Sequence, residues 1–190
     1  ISEFIKSDFF NKKKVILEVG FGMGDNLQFM LSKDKESFYI GCEPYLNGVA
    51  NLISKLNYSD FDRIRIFDKD VRDLLEHIPN NSIYKIIILF PDPWNKRRHK
   101  KRRLFNANNI NLFLNKLKKN GEIYFGTDIE DYFLEVKNFF LDRNKDFRIK
   151  NKDNFFKKPI FLCLTKYAKK SLSKGVSPKY LVIKKKVDIL

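Results

Sequence analysis

The sequence predicts an α/β fold in which helices cover both faces of a mostly parallel sheet. Short apolar runs alternate with amphipathic stretches along the 190 residues, which is the pattern of repeated strand–helix units. A glycine-rich turn follows the first apolar run, and acidic residues stand at or just after the ends of several runs. Because the carboxyl ends of parallel strands meet at the edge where such folds bind ligands, these acids predict one polar rim.

Local patterning justifies each element in turn. The first apolar run leads into the glycine turn, and Asp25 then stands at an N-cap position before apolar residues with helical spacing. The most apolar run, 83–90, predicts a central strand that is buried on both faces. In chain order we expect strands at 15–19, 38–42, 63–67, 83–90, 122–127, 147–151 and 180–186, and helices from 25 and at 45–56, 71–75, 107–119 and 130–141. No internal repeat divides the chain, so we expect one domain over residues 1–190.

Composition excludes several classes of protein. Hydrophobic residues make up 43% of the chain and aromatic residues 15%, which supplies a core and argues against disorder. No run of 18 apolar residues is present, which argues against a membrane span. The two cysteines and two histidines do not have ligand spacing, so we expect no metal site and a reducing, cytoplasmic location.

Positive charge is concentrated in the second half of the chain. Residues 1–94 carry 12 basic and 14 acidic side chains, whereas residues 95–190 carry 26 basic and 9 acidic ones. A positive surface of this size indicates a polyanionic partner, either nucleic acid or an anionic membrane. The alternative explanation is a general abundance of lysine in the composition.

The glycine turn indicates a cofactor site. Gly20, Gly22 and Gly24 let the backbone turn sharply and approach a ligand closely. A dinucleotide fingerprint would need its third glycine at position 25, where Asp25 stands and would repel a pyrophosphate. The pattern instead resembles the first motif of class I, S-adenosylmethionine-dependent methyltransferases, whose cofactor carries an ammonium and a sulfonium but no phosphate.

Three acids complete this predicted cofactor site. Glu18 lies in the first strand, and Glu43 ends the second strand, 19 residues past Gly24. An acid in the position of Glu43 can accept hydrogen bonds from ribose hydroxyls. Asp70 is placed to meet the adenine end, although such a residue taken alone is more often a helix cap.

A basic segment, residues 95–106, follows the central strand and a proline-stiffened loop. Seven of the nine residues at 95–103 are Lys or Arg. Like charges repel one another at this density, and a phosphate backbone would offset the repulsion. Trp94 precedes the segment and either packs in the loop or stacks on a base.

The run from Pro91 to Arg103, read together with the glycine turn and its acids, resembles the bacterial tRNA (guanine-N7)-methyltransferase family. The resemblance extends from Glu18 to about Gly175. It implies a Rossmann-like class I methyltransferase fold with a seven-stranded, mostly parallel sheet and an antiparallel last strand. It also implies S-adenosylmethionine as cofactor, N7 of the variable-loop guanosine at tRNA position 46 as methyl acceptor, tRNA as partner without membrane or metal, and a monomer or homodimer.

Residue roles follow from the same resemblance. Residues 1–14 would be an N-terminal arm, 95–106 an RNA-binding loop and 157–179 a substrate-binding segment. Asp92 is the expected catalytic residue. The implied cofactor-binding residues are Glu18, Gly20, Gly22, Gly24, Glu43, Asp70 and Asp92. The implied substrate-binding residues are Lys96, Asp128, Thr165, Lys166 and Tyr167, and the implied RNA-binding residues are Arg98, His99, Lys100, Lys101, Arg102 and Arg103.

One departure from the family pattern leaves alternatives open. The family's C-terminal Thr-x-Tyr/Phe-Glu motif falls on residues 165–168, where Ala168 replaces the glutamate. This favours, as one alternative, a catalytically impaired RNA-binding protein that has kept the fold. An amino-group methyltransferase is a second alternative, although the chain has Pro-Asp-Pro-Trp at 91–94 and lacks the paired prolines of that class. A nicotinamide dehydrogenase and a membrane-surface protein are two further alternatives, and Asp25 argues against the first.

Overall fold

A computed structural model describes residues 7–11 and 14–186 of the chain. The strands are β1 (Val15–Val19), β2 (Phe38–Cys42), β3 (Ile64–Phe67), β4 (Ile83–Leu89), β5 (Leu117–Thr127), β6 (Phe147–Ile149) and β7 (Lys179–Lys185). The α-helices are α1 (Ser7–Phe10), α2 (Asp25–Lys33), α3 (Leu46–Ile53), α4 (Val71–His77), α5 (Ala107–Lys116), α6 (Glu130–Leu141) and α7 (Lys166–Ser173). Two 3-10 turns occupy Tyr58–Asp60 and Arg97–Arg102.

The seven strands form one sheet in the order β3-β2-β1-β4-β5-β7-β6. The first five strands are parallel, and β7 runs antiparallel between β5 and β6. This confirms the predicted mostly parallel sheet with an antiparallel last strand. The chain reverses its winding direction between β1 and β4, and at such a reversal the loops diverge and leave a crevice beyond the strand ends.

Alternate residues of the central strands fill two cores on opposite faces of the sheet. Leu17 and Ile88 belong to the core covered by α4, α5 and α6, whereas Ile16 and Ile87 belong to the core covered by α2 and α3. Because side chains of a strand alternate between faces, a run such as 86–89 must be apolar throughout where both faces are covered. Helices therefore lie on both faces, as predicted.

Several element boundaries differ from the sequence expectation by a few residues, and three of these differences have an evident structural cause. Gly24, in a left-handed conformation, is the N-cap of α2, so Asp25 is the first helical residue and not the cap. Strand β4 ends at Leu89 because Phe90 has a φ of 52°. Helix α5 ends at Lys116 and not near 119, since Leu117 pairs with Ile83 of β4 and begins β5. Pairing with a neighbouring strand overrides a locally helical pattern.

The proposed subdivisions of the chain map onto this fold unevenly. Residues 1–6 and 12–13 of the expected N-terminal arm lie outside the described residues. The basic segment contains the second 3-10 turn and ends at Asn106, the N-cap of α5. Residues 157–179 contain α7, a helix that the sequence analysis did not predict. Among the described helices, none is long and apolar enough to cross a bilayer.

Candidate active site

The glycine turn connects β1 to α2 and is held in place by the side chain of Glu43. Gly20, Gly22 and Gly24 have φ values of 69°, 58° and 79°, a region that residues with a Cβ seldom adopt. The Glu43 carboxylate, at the end of β2, accepts a hydrogen bond from the Gly22 amide at 2.7 Å and another from the Tyr45 amide at 3.0 Å. The acid that was predicted to bind ribose therefore also fixes the turn.

A cavity of about 420 Å³ opens beyond the carboxyl ends of β1, β2 and β4. It contains the acids that follow β2, β3 and β4, namely Glu43, Asp70 and Asp92, so the predicted polar rim is present in part. One of them, Asp70, caps α4 and is paired with Arg72, whose side-chain hydrogen bonds lower the pKa of the Asp70 carboxyl. The predicted site residues that line this cavity are Gly20, Gly22, Glu43, Asp70, Asp92, Arg102 and Tyr167.

A second cavity, of about 350 Å³, lies on the other side of the glycine turn. Glu18 points into it from β1 with only 3% of its surface exposed. Its Oε1 accepts a hydrogen bond from the Asn26 side chain at 3.0 Å, while its Oε2 has no hydrogen-bond partner among the described residues. Burial raises the pKa of the Glu18 carboxyl to about 8, although the Asn26 hydrogen bond opposes this.

The loop 90–94 carries Asp92 between two strained residues. Phe90 and Trp94 both have positive φ values, 52° and 42°, which cost free energy in residues with bulky side chains. The exposed Asp92 lines the larger cavity, and within the described part of the chain its carboxylate has no hydrogen-bond partner. It is therefore available to interact with a ligand.

Helix α7 closes the crevice from the C-terminal part of the chain. Thr165 caps the helix, and Tyr167 lines both cavities and stacks on Phe90 with ring centroids 6.3 Å apart. Thr165 and Lys166 line the smaller cavity. Asp128, at the end of β5, lines neither cavity and accepts a hydrogen bond from the Ser171 hydroxyl at 2.5 Å. Four of the five predicted acids thus reach the two cavities, and α7 holds the fifth.

The basic segment lies beside this crevice and is mostly exposed. Lys96 and Arg98 line a shallow, open depression of their own. Arg102 packs over the Trp94 ring at 5.1 Å, and His99 meets the edge of that ring at 5.9 Å. Trp94 therefore packs against the basic segment. Of the two roles considered from sequence, loop packing and stacking on a base, the structure shows the first.

Two basic residues are not on the surface where the sequence analysis placed them. Arg103 is fully buried and binds Asp131 and Glu135 of α6, so its guanidinium is not presented to RNA as predicted. Lys185, one of the 26 basic residues counted at 95–190, is also buried and donates to the Asn81 side chain. In both cases partners from a distant part of the chain satisfy the buried charge: carboxylates for Arg103, and a side-chain amide with two backbone carbonyls for Lys185.

Sequence reasoning missed two features of the site. Asn26 had no predicted role, yet it donates to Glu18 and accepts a hydrogen bond from the Cys163 amide at 2.9 Å. A polar residue within an apolar helical stretch directly after the turn is the signal that could have revealed it. The acidic residues of α6 that bind Arg103 had no comparable signal, because their spacing suits an ordinary exposed helix. No cluster of potential metal ligands occurs within 7–11 and 14–186.

Comparisons with known proteins agree with this architecture. A family model described as "Putative methyltransferase" matches residues 12–181. The chain is 36% identical to a tRNA (guanine-N(7)-)-methyltransferase of Francisella philomiragia over 164 residues, which are 85% of the chain and 70% of that protein. It is 37% identical to a bifunctional methyltransferase of Rickettsia felis over 172 residues, 90% of the chain but only 32% of that protein. The chain thus spans about a third of the length of that relative.

A solved structure supports the fold independently. The chain is similar to a 16S rRNA (adenine(1408)-N(1))-methyltransferase from Catenulisporales acidiphilia, with a TM-score of 0.59, 14% identity and coverage of 98% of the chain and 91% of that structure. The sheet order and the crevice define the chain as a class I, S-adenosylmethionine-dependent methyltransferase. Within that class, the chain belongs to the bacterial tRNA (guanine-N7)-methyltransferase family.

The residues present fit the cofactor of this class. The buried Oε2 of Glu18 lacks a partner, and a carboxylate in this position suits an ammonium group. Glu43 retains free lone pairs beyond its two backbone hydrogen bonds, which suits ribose hydroxyls. The glycine turn separates the two acids, so the crevice offers a carboxyl group on each side of a closely approachable backbone, and a bound ammonium would favour the ionised form of Glu18.

Proposed function

We propose that this protein transfers the methyl group of S-adenosylmethionine to N7 of the variable-loop guanosine, position 46, of tRNA. The observation that carries the proposal is the position of Asp92, which lines the acidic cavity and directly precedes the exposed basic segment. The names of relatives such as the Francisella philomiragia protein support the same reaction. We expect the protein to act in the cytoplasm, where its tRNA substrate is found.

The residues of the crevice divide into binding and reacting groups. Glu18 would hold the ammonium end of the cofactor, and Glu43 and Asp70 would hold its nucleoside end. S-adenosylmethionine supplies an electrophilic methyl group on a positively charged sulfur. Tyr167, which borders both cavities, would exclude water between them.

The acceptor atom determines what the chain must supply. Guanine N7 carries a lone pair and no proton, so no general base is needed. The purine becomes positively charged as the methyl group arrives, and the Asp92 carboxylate would stabilise that charge. Asp128, oriented by Ser171, would accept hydrogen bonds from the Watson–Crick edge of guanine. The task of the protein is therefore positioning and electrostatic stabilisation.

The basic segment would bind the tRNA backbone. Six of its side chains, those of Lys96, Arg97, Arg98, Lys100, Lys101 and Arg102, are at least partly exposed. Phosphate contacts of this kind position the substrate without reading bases. Lys166 and Lys170 of α7 line the smaller cavity and would extend the positive surface to the other side of the crevice.

Methyl transfer to unmodified tRNA transcripts tests the proposal. Of two transcripts that differ only at the variable-loop position, the one with guanosine should be methylated and the one without it should not. Chemical cleavage at 7-methylguanosine, with nucleoside mass spectrometry, should place the product methyl group on N7. A methyl group found on an exocyclic amine would instead establish the amino-group reaction.

One observation supports a second candidate, an RNA-binding protein without activity. Ala168 replaces the family glutamate and is fully buried, so α7 presents no acid at that position. Calorimetric titration with S-adenosylmethionine separates the two candidates. Absence of binding, together with intact tRNA affinity, would support the second.

A further inference from the structure

Arg103 is the most enclosed cation of the basic segment. Its side chain has no exposed surface, whereas its neighbours Lys101 and Arg102 are exposed. Its Nη1 donates to Glu135 at 2.6 Å, and its Nη2 donates to both carboxylate oxygens of Asp131 at 2.9 and 3.0 Å. The guanidinium is thus held by two carboxylates of α6.

The acceptor of the remaining donor is a backbone atom of the catalytic loop. Arg103 Nε donates to the Pro93 carbonyl at 2.8 Å. Pro93 stands between Asp92 and Trp94, and Trp94 has a positive φ. A conformation of this kind persists only when surrounding contacts hold it. The hydrogen bond to Pro93 is such a contact, one residue from the Asp92 carboxylate.

Helix α6 also holds the residues around Arg103. Asp131 binds Lys100 at 2.5 Å as well as Arg103, so one acid holds two positions of the basic segment. The Tyr132 ring lies 4.5 Å from the Arg103 guanidinium carbon, and its hydroxyl accepts a hydrogen bond from the Phe105 amide at 2.9 Å. The segment is therefore anchored on α6 at its C-terminal end while its exposed face stays free.

We propose that Arg103 is a positioning residue that fixes the loop bearing Asp92 against α6, and that it does not contact RNA. The consequence for turnover rests on the proposed function, while the effect on the loop does not. Moving the guanidinium to a phosphate would break its ion pairs with Asp131 and Glu135 and its hydrogen bond to Pro93, contacts that it makes from a fully buried position. The planar fork of arginine suits three separate acceptors, and lysine cannot reproduce it.

Arg103→Lys tests this role, because it keeps the charge and removes the fork. We expect methyl transfer at saturating tRNA to slow by about tenfold or more, as misplaced catalytic groups do. Arg103→Gln also removes the charge, and because Arg103 does not contact RNA, the log–log salt slope of tRNA binding should stay unchanged in this variant. Lys101→Ala is the comparison variant, because it removes one exposed positive charge from the same segment. It should make the log–log salt slope of tRNA binding shallower by about 0.7–0.9 and raise KM for tRNA. Glu135→Gln weakens the anchor from α6 and should slow turnover in the same way as Arg103→Lys.

The single tryptophan gives a readout that does not require activity. Trp94 is the only tryptophan in the chain, and it lies next to the carbonyl that Arg103 holds. Its emission and acrylamide quenching should change in Arg103→Lys and in Glu135→Gln but not in Lys101→Ala. If the wild-type protein methylates no tRNA, the proposed function fails, and Trp94 quenching still decides the role of Arg103. Unchanged quenching in Arg103→Lys, or a salt slope that becomes as shallow in Arg103→Gln as in Lys101→Ala, would overturn the proposal.

Discussion

At the scale of single residues, Glu18 and Asp92 show how position gives two carboxylates different chemistry. Glu18 is buried in β1, and one of its carboxyl oxygens accepts a hydrogen bond from Asn26. Its pKa is raised because burial removes water from the carboxyl group. Asp92 is exposed in the loop that follows β4, between two residues with positive φ. Both were predicted from their places at strand ends, but nothing in the sequence distinguished their burial, which depends on packing by distant elements.

Asp92→Asn tests the assigned catalytic role. The substitution keeps the shape of the side chain and removes its negative charge, so single-turnover methyl transfer should fall by about 10²-fold. The affinity for S-adenosylmethionine should change much less, because Glu18 and Glu43 remain. Asp68→Asn, at an exposed acid outside both cavities, is the matched control. A near-normal single-turnover rate in Asp92→Asn would end the assignment.

Glu18 should make stability depend on pH. In the folded protein its carboxyl keeps a proton up to a pKa of about 8, whereas the ordinary value is 4.5. Between these values the folded state binds more protons than the unfolded state, so the free energy of unfolding falls as pH rises. Above about pH 8 this contribution is constant.

Urea unfolding of wild type and Glu18→Gln across this pH range checks the expectation. The stability of Glu18→Gln relative to wild type should increase from about pH 4.5 to about pH 8 and then level off. Glu76→Gln, at an exposed position of α4, should show no such trend. Parallel pH curves for wild type and Glu18→Gln would contradict the buried, unpartnered state of this carboxyl.

At the scale of elements, the cofactor crevice depends on a close approach between α3 and the glycine turn. A Cβ at Gly48 of α3 would lie 2.1 Å from the Gly22 carbonyl oxygen, which is too close for any real contact. The sequence identified the glycines of the turn but not Gly48, which looks like an unremarkable residue of a helical stretch. Gly48 matters because α3 packs against the glycine turn, which lies more than 20 residues earlier in the chain.

Gly48→Ala should therefore disturb cofactor binding without touching a cofactor-binding side chain. Displacement of the turn would break the hydrogen bond between the Gly22 amide and Glu43, and we expect an affinity loss of about tenfold, the worth of one charge-assisted hydrogen bond. Calorimetric titration with S-adenosylmethionine measures this. Ile53→Ala, at a partly exposed position of the same helix, is the control, and wild-type affinity in Gly48→Ala would show that the turn tolerates the shift.

At the scale of the whole molecule, charge is separated between the two halves of the chain. The formal net charge of +15 comes entirely from residues after Trp94, and much of it lies beside the crevice in the basic segment. Such a field attracts a polyanion over long distances and weakens as salt is added. Arg103 and Lys185 do not contribute exposed charge, so composition overstates the binding surface.

Neutralising three exposed residues of the basic segment should reduce the salt dependence of tRNA binding. The triple change Arg97→Ala, Arg98→Ala and Lys101→Ala should make the log–log slope shallower by about 2–3 units, because fewer counterions are released. The triple change Lys33→Ala, Lys35→Ala and Lys119→Ala removes the same charge from exposed positions elsewhere. Equal slopes for the two triple variants would show that the basic segment lies away from the RNA.

The alternation of strands and helices, the glycine turn and the acids at strand ends could all be predicted from the amino-acid sequence, because they follow from local periodicity and from the topology of a parallel sheet. The sequence also located the basic segment. Three features could be learned only from the folded chain: Arg103 faces inward, α7 closes the crevice and β5 begins at Leu117. The physical reason is that the burial of a charge, or the choice between helix and strand, depends on partners that are distant in sequence. Local pattern carries no information about those partners.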